Sequence, residues 1–167
     1  AVTVQLSKGD LVDPLKALEM GQEGDVIVVD AGGDLNTSVC GGLMGGLAQN
    51  RGIRGMIVDG AGRDTDELEE INWPIWTRAI TPRGTHTMFS ERREELSINV
   101  PIACGGVVVN PGDFIVADLM GVVVVPLESA EEVVRLAQEQ ADREVATRAW
   151  VAQGKTVEDL LNEFGRI

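Results

Sequence analysis

The sequence predicts a layered α/β domain. Two buried-strand runs, "DVIVVD" (25–30) and "GMIVDG" (55–60), alternate with helical segments in the first half. The stretch "GGVVVNPGDFIVADLMGVVVVP" (105–126) then reads as three short strands, broken by Pro111-Gly112 and by Gly121. Helices interleaved with buried strands, followed by a β-rich stretch, pack as layers around a core.

Each element has its own signal. "VTVQL" (2–6) alternates as a strand does. "DPLKALEM" (13–20) reads as a short helix, with Asp13 as cap and Pro14 at its first position. "DVIVVD" ends in the expected loop "AGGDLNTSVCGG" (31–42). "LMGGLAQNR" (43–51) is a helix carrying Gly45 and Gly46. Each glycine costs about 1 kcal/mol against alanine, so another backbone is expected to pack close. "DTDELEE" (64–70) starts a short helix with Asp64 and Glu67 at capping-box spacing. Residues 74–100 are poorer in helix signals and richer in short strands. A long helix is expected from Ser129, with a Ser129-x-x-Glu132 capping box, to about Ala152, with Gly154 at its end. Val133, Val134, Leu136, Ala137, Ala141, Val145, Ala149 and Trp150 form its apolar stripe. A last helix, "TVEDLLNEF" (156–164), stops at Gly165. With no internal repeat and no linker, residues 1–167 read as a single domain.

Composition narrows the function. Hydrophobic residues make up 44% of the chain, enough to bury a core and to argue against disorder. Acidic residues outnumber basic ones, 27 to 14, for a net charge of −13. Binding phosphates needs clustered Lys and Arg, so nucleic acid is not expected as a direct partner. A basic protein partner suits that charge, although an acidic surface also serves solubility. The apolar runs Val26–Val29 and Val122–Val125 are too short to span a bilayer, and no signal peptide opens the chain. Cys40 and Cys104 show neither CxxC spacing nor a disulfide-rich pattern and read as reduced thiols in a cytoplasmic protein.

What is scarce narrows the chemistry. His86 is the one histidine, and "GTHTMF" around it looks like an alternating strand. Lys8, Lys16 and Lys155 lie in polar segments, whereas a Schiff-base lysine needs desolvation. The remaining tools are carboxylates, arginine, backbone amides and a metal.

These tools converge on "GGLMGGLAQNRGIRGMIVDGAGRD" (41–64). A glycine-rich loop feeding a helix exposes free N–H groups at the positive end of the helix dipole, an anion site. Leu43 and Met44 sit in the first turn. Arg63, at the end of the next strand, is placed to grip the same anion with its planar fork. Asp64 offers oxygen to a divalent cation. The same residues also read as plain architecture: Asp64 a helix cap, Glu67 the other half of a capping box, Arg63 a surface ion pair. No Gly-Lys-Ser/Thr follows the glycines, which excludes a Walker A loop, and the GxGxxG order is missing.

The segments "GDVIVVDAGG", "GGLMGGLAQNRGIRGMIVDGAGRD", "INWPIWTRAITP" and "GGVVVNPGDFIVADLMGVVVVP", in that order, resemble the RraA-like family. It includes the regulator of ribonuclease activity A and the 4-hydroxy-4-methyl-2-oxoglutarate aldolases, which also decarboxylate oxaloacetate. The resemblance covers nearly the whole chain, and the spacing Gly42-x20-Arg63-Asp64-x2-Glu67 is its most specific part. It implies a ββα swivelling fold, assembled as homotrimers or hexamers with sites between subunits. It implies that the Leu43 and Met44 N–H groups, next to Gly42, bind the carboxylate of a small 2-oxo acid. Arg63 would bind the carbonyl side and stabilise an enolate. Asp64 would hold Mg²⁺ or Mn²⁺, with Glu67 supporting the metal's water shell. The proton donor is not assigned; Glu139 and Glu144 are candidates.

Two departures from the family stand out. Many aldolase members carry an acidic residue where this chain has Gly42, so the metal site depends on Glu67 to compensate. Members also usually have several dozen residues before "AVTV", so the usual N-terminal segment is expected to be lacking. The implied activity is a metal-dependent class II lyase, cleaving 4-hydroxy-2-oxo diacids to pyruvate and decarboxylating oxaloacetate. The rival is a non-catalytic acidic regulator that binds a ribonuclease or helicase. No methyl-donor loop supports the methyltransferase label that some relatives carry.

Overall fold

A four-stranded parallel sheet organises the first of two compact units, Ala1–Leu127, in a computed structural model that describes residues 1–7, 10–85 and 96–165. Its strands are β1 (Val2–Gln5), β2 (Val26–Cys40), β3 (Gly55–Gly62) and β4 (Ile75–Ile80), in spatial order β1-β2-β3-β4. Helices α1 (Val12–Met20), α2 (Gly42–Asn50) and α3 (Thr65–Glu70) make the crossovers. Both faces of the sheet are covered, as a parallel sheet requires. Ile27, Val29, Met56 and Val58 point to one face and pack with Ala17, Leu18, Met44, Ala48 and Leu68 of the helices. The alternate residues Val28 and Ile57 point to the other, against Ile102 and Val109. That layer is built from two antiparallel pairs: β5 (Ile102–Cys104) with β6 (Val107–Val109), and β7 (Phe114–Asp118) with β8 (Gly121–Val125). The layered α/β expectation is met.

Several local expectations are corrected. The predicted loop after "DVIVVD" is strand: β2 runs on to Cys40, with register shifts against β3 between Asp30 and Cys40. Gly32 and Gly33, at φ 61° and 69°, supply the left-handed backbone of this irregular stretch. Asp13 does not cap α1. It is fully buried and accepts the Ser97 N–H (3.2 Å), while Asp10 accepts the N–H groups of Leu11 (2.6 Å) and Val12 (2.9 Å). The close approach expected at the α2 glycines is real at Gly45, where a Cβ would overlap Leu68 and meet Trp73 at 3.1 Å. The neighbours are side chains, not another backbone, and Gly46 faces open space.

The second unit, Glu128–Ile167, holds α4 (Ala130–Ala152) and α5 (Val157–Phe164). The predicted Ser129 cap is not formed: its side chain makes no capping hydrogen bond. The capping box lies instead at α5. There the Thr156 hydroxyl accepts the Asp159 N–H (3.2 Å), and Asp159 accepts the Thr156 N–H (2.9 Å). Trp150 meets Phe164 edge-to-face at 5.4 Å, tying the two helices together. Among the described residues, no helix is long and apolar enough to cross a membrane.

Candidate active site

The start of α2 and the end of β3 lie side by side because β2 and β3 pair in parallel to their last residues, Cys40 opposite Gly62. Arg63 continues that edge, its N–H donating to the Cys40 carbonyl (2.9 Å). The chain then turns at Asp64, which adopts a left-handed conformation (φ 51°, ψ 45°) that aspartate tolerates better than most residues. The turn sends the Asp64 carboxylate toward the start of α2 and away from its own helix. Its Oδ2 accepts the Gly42 N–H (3.1 Å) and lies 3.3 Å from Arg63 Nε. No side-chain capping bond forms at α3, so the capping box read from the spacing of Asp64 and Glu67 is not made.

Gly42 offers the first of the α2 amides that lack a partner within the helix, and Asp64 takes it. Among the described residues, the Leu43 and Met44 N–H groups have no hydrogen-bond partner. Leu43 and Met44 line, with Arg63, one cavity of about 260 Å³ that Ser38, Cys40 and Thr85 also line. The glycines leave room for the protein's own carboxylates: a Cβ on Gly41 would overlap Asp64 Oδ2, and one on Gly42 would overlap Glu67 Oε2. A Cβ on Gly84 would come within 2.7 Å of Arg63 Nη1, so a third glycine makes room for the guanidinium. The structure thus brings Gly42, Leu43, Met44, Arg63, Asp64 and Glu67 together.

The electrostatics favour a bound anion. The α2 N-terminus carries partial positive charge and Arg63 a full one, with Asp64 fixing the guanidinium from one side. Cys40 is not poised as a nucleophile. Burial, reinforced by the Asp64 charge, pushes its thiol up to about 12, against the opposing pull of Arg63 and a backbone hydrogen bond. Among the described residues no three His, Cys, Asp or Glu side chains gather into a metal cage. Asp64 and Glu67 nonetheless set two carboxylates over adjacent glycines. Mg²⁺ is commonly held through one or two carboxylates, with water and substrate completing its shell, and this donor set fits that pattern.

The other predicted residues lie elsewhere. Glu139 and Glu144 are on α4, held by Arg135 (2.5 Å) and Arg148 (3.3 Å). Lys16 pairs with Glu19 (2.6 Å), and Lys155 sits over the Trp150 ring (5.4 Å). His86 and Lys8 lie outside the described residues. Sequence reasoning missed Leu11 and Leu15, which line the cavity from α1; their four-residue spacing was the available signal.

A larger cleft of about 330 Å³ lies over the opposite face of the sheet, walled by Val28, Ile57, Trp76 and the β5–β8 strands. Its buried carboxylate is already engaged: Asp59 accepts from Arg78 and from the Gly105 N–H (2.7 Å). Burial works to raise the Asp59 pKa. The Arg78 and Gly105 hydrogen bonds, with the Arg78 charge, outweigh it and hold the carboxyl below its ordinary value. The smaller cavity, with two unpartnered amides beside an arginine, is the better chemical site despite its size.

Comparison with known proteins identifies the family. The family model RraA-like (Aldolase/RraA) matches residues 1–124. A Halalkalibacterium halodurans protein, provisionally named 4-hydroxy-4-methyl-2-oxoglutarate aldolase, is 43% identical over 150 residues, covering 89% of this chain and 69% of its own length. A crystal structure of a Pseudomonas syringae pv. tomato protein superposes with a TM-score of 0.84 at 29% identity, over 98% of this chain and 74% of that one. The RNA-processing inhibitor RraA of Thermus thermophilus superposes at 0.66 with 35% identity, over 75% and 73%. With its layered sheet, its Gly-rich helix start and its Arg63-Asp64 turn, the chain belongs to the RraA-like family.

Proposed function

We propose that this protein is a lyase that releases pyruvate from 4-hydroxy-2-oxo acids and, through the same pyruvate enolate, decarboxylates oxaloacetate. The reading rests on one observation: the unpartnered amides of Leu43 and Met44 share a cavity with Arg63, whose guanidinium is fixed by Asp64. In this reading the two amides bind the 1-carboxylate, which the start of α2 favours by about 0.3–1 kcal/mol. Arg63 reaches the 2-oxo oxygen and stabilises the negative charge that develops there as the enolate forms. Asp64 keeps Arg63 in place and, with Glu67, would hold Mg²⁺ or Mn²⁺. The bound ion supplies Lewis-acid polarisation of the 2-oxo group. The aldolase name of the Halalkalibacterium relative agrees with this chemistry.

The proposal includes a homotrimer or hexamer in which a neighbouring subunit completes the site; light scattering at micromolar concentration checks it, and a monomer counts against it. The main test is pyruvate release from oxaloacetate and from 4-hydroxy-4-methyl-2-oxoglutarate, with Mg²⁺ and after chelation. Metal-dependent release supports the lyase. No release from either, under all conditions, sinks it.

A second reading has its own support. The net charge of −13 and the likeness to an RNA-processing inhibitor suit an acidic regulator of a ribonuclease. Such a regulator would bind a basic ribonuclease segment in a salt-sensitive way, and Arg63→Lys would leave that binding intact.

A further inference from the structure

The segment from Thr81 to Thr85 is tied to both strands that carry the site. The Thr81 N–H donates to the Gly62 carbonyl at the end of β3 (2.9 Å), and the Ser38 N–H of β2 donates to the Arg83 carbonyl (2.8 Å). Gly84 follows at once, and Thr85 lines the cavity. Gly84 does not take the left-handed backbone that would call for glycine. A side chain there has the conformation available and lacks the space: its Cβ would come within 2.7 Å of Arg63 Nη1. Among the described residues, its chain neighbours aside, Arg63 alone comes within 4 Å of that position. The guanidinium thus has two neighbours of different kinds. Asp64 attracts Nε across 3.3 Å, and Gly84 bounds Nη1 sterically. The ion pair is part-exposed, and such a pair restrains a long side chain only weakly.

Resting on the lyase reading, we infer that Gly84 is a positioning residue for Arg63. The 81–85 segment sets where the guanidinium stands at the cavity, and so how well it meets the charge of the enolate. A group aimed at developing charge has to be held to a fraction of an ångström. A Cβ at position 84 would push Nη1 away by several tenths of an ångström before ordinary contact is regained. The end of an arginine is flexible and this side chain is part-exposed, so the fold yields to that push easily. The enolate geometry does not, because a small misplacement of a charge-stabilising group costs rate steeply. The demand is the same for aldol cleavage and for oxaloacetate decarboxylation, since both pass through one pyruvate enolate.

The experiment makes Gly84→Ala and Arg63→Lys singly and together, in the full chain with Mg²⁺. It reads kcat and KM for pyruvate release from oxaloacetate, oxalate affinity by calorimetry, and the melting temperature. In Gly84→Ala, kcat and kcat/KM are expected to fall together by roughly ten-fold or more, the mark of an interaction made in the transition state. KM should stay near the wild-type value, because the Leu43 and Met44 amides still bind the carboxylate. Oxalate affinity should fall and the melting temperature should hold. In the Arg63→Lys background, Gly84→Ala is expected to cost less than about two-fold, because lysine has no Nη1 for the Cβ to displace. An equal loss in both backgrounds, or a melting temperature lowered in both, assigns Gly84 to packing of the 81–85 segment and overturns the inference. A loss confined to KM, or unchanged kcat and oxalate affinity in Gly84→Ala, overturns it as well. Each of these results leaves the lyase reading standing. A wild-type protein that neither releases pyruvate nor binds oxalate removes the lyase reading, and the inference with it.

Discussion

The Glu67 carboxylate occupies the space that a side chain on Gly42 would need. The two residues belong to different helices, α2 and α3, and their complementarity accounts for a glycine at the first position of α2. Glu67 thereby sets a carboxylate where a longer residue at position 42 would set its own.

The first prediction tests that exchange. Gly42→Asp should crowd Glu67 and lower Mg²⁺-dependent pyruvate release at least ten-fold. Gly42→Asp combined with Glu67→Ala should recover most of the loss, because one carboxylate again stands over the α2 start. Two independent losses that multiply would show that the positions do not substitute for each other. Melting curves of both variants show how much of the single variant's loss is steric, because a Cβ at position 42 overlaps the Glu67 side chain.

The second prediction separates the role of Asp64 from a structural one. Asparagine also tolerates the left-handed backbone at this turn and retains an oxygen for the Gly42 N–H. Asp64→Asn should therefore cost roughly 1 kcal/mol or less in unfolding free energy. Metal-dependent pyruvate release should disappear. Activity retained at saturating Mg²⁺ would remove Asp64 from the metal site.

Arg63→Lys gives a third prediction. Lysine keeps the charge but lacks the planar fork that can pair with Asp64 and a ligand together. Oxalate affinity should fall roughly ten- to hundred-fold, in line with loss of a charge-assisted hydrogen bond of roughly 1.5–3 kcal/mol. The melting temperature should barely move, since the side chain is 41% exposed. Unchanged oxalate affinity by calorimetry would move the anion site away from Arg63.

Much of this site was legible because it is local. The glycine-rich start of α2 and the Arg63-Asp64 pair are each contiguous, and the β strands beneath them are apolar runs. What the sequence hid depends on contacts across the fold. Asp64 and Glu67 have capping-box spacing, yet the left-handed turn at Asp64 sends its carboxylate to another helix. "AGGDLNTSVC" carries loop residues, and neighbouring β3 draws it into a strand with shifted register. Leu11 and Leu15 look like core positions of a short helix. Their part in the cavity appears only once α1 stands beside α2.

The cysteines give a fourth prediction. Burial pushes the Cys40 thiol up to about 12 and that of Cys104 to about 11, with Asp64 adding to the first and Asp59 to the second. Both should stay protonated at pH 8 and react with iodoacetamide at least ten-fold more slowly than in denaturant. Fast alkylation of Cys40 in the native protein would show that the cavity opens to the β2 terminus. Bound oxalate would then be expected to slow it.

The last prediction concerns the opposite face, where the Arg78–Asp59 pair links β3 to β4 and the Gly105 N–H brings in the turn between β5 and β6. Asp59 is buried, and its pKa is held below the ordinary value because the hydrogen bonds and charge of its partners exceed the cost of burial. A carboxyl with a lowered folded-state pKa stabilises the protein above its unfolded pKa, about 3.9, and loses that contribution as pH falls through the folded value. Wild type should therefore exceed Asp59→Asn in stability by a constant margin above about pH 5. Replacing a charge-assisted bond with a neutral one sets that margin at roughly 1–2 kcal/mol. Below about pH 4 the margin should shrink as Asp59 takes up its proton, because the two proteins then differ little in charge at this site. Urea unfolding of both proteins between pH 3 and 7 reads it directly. A margin that does not change across this range would mean that Asp59 acts through packing alone, and that its ion pair with Arg78 contributes nothing to holding the β5–β6 turn on the sheet.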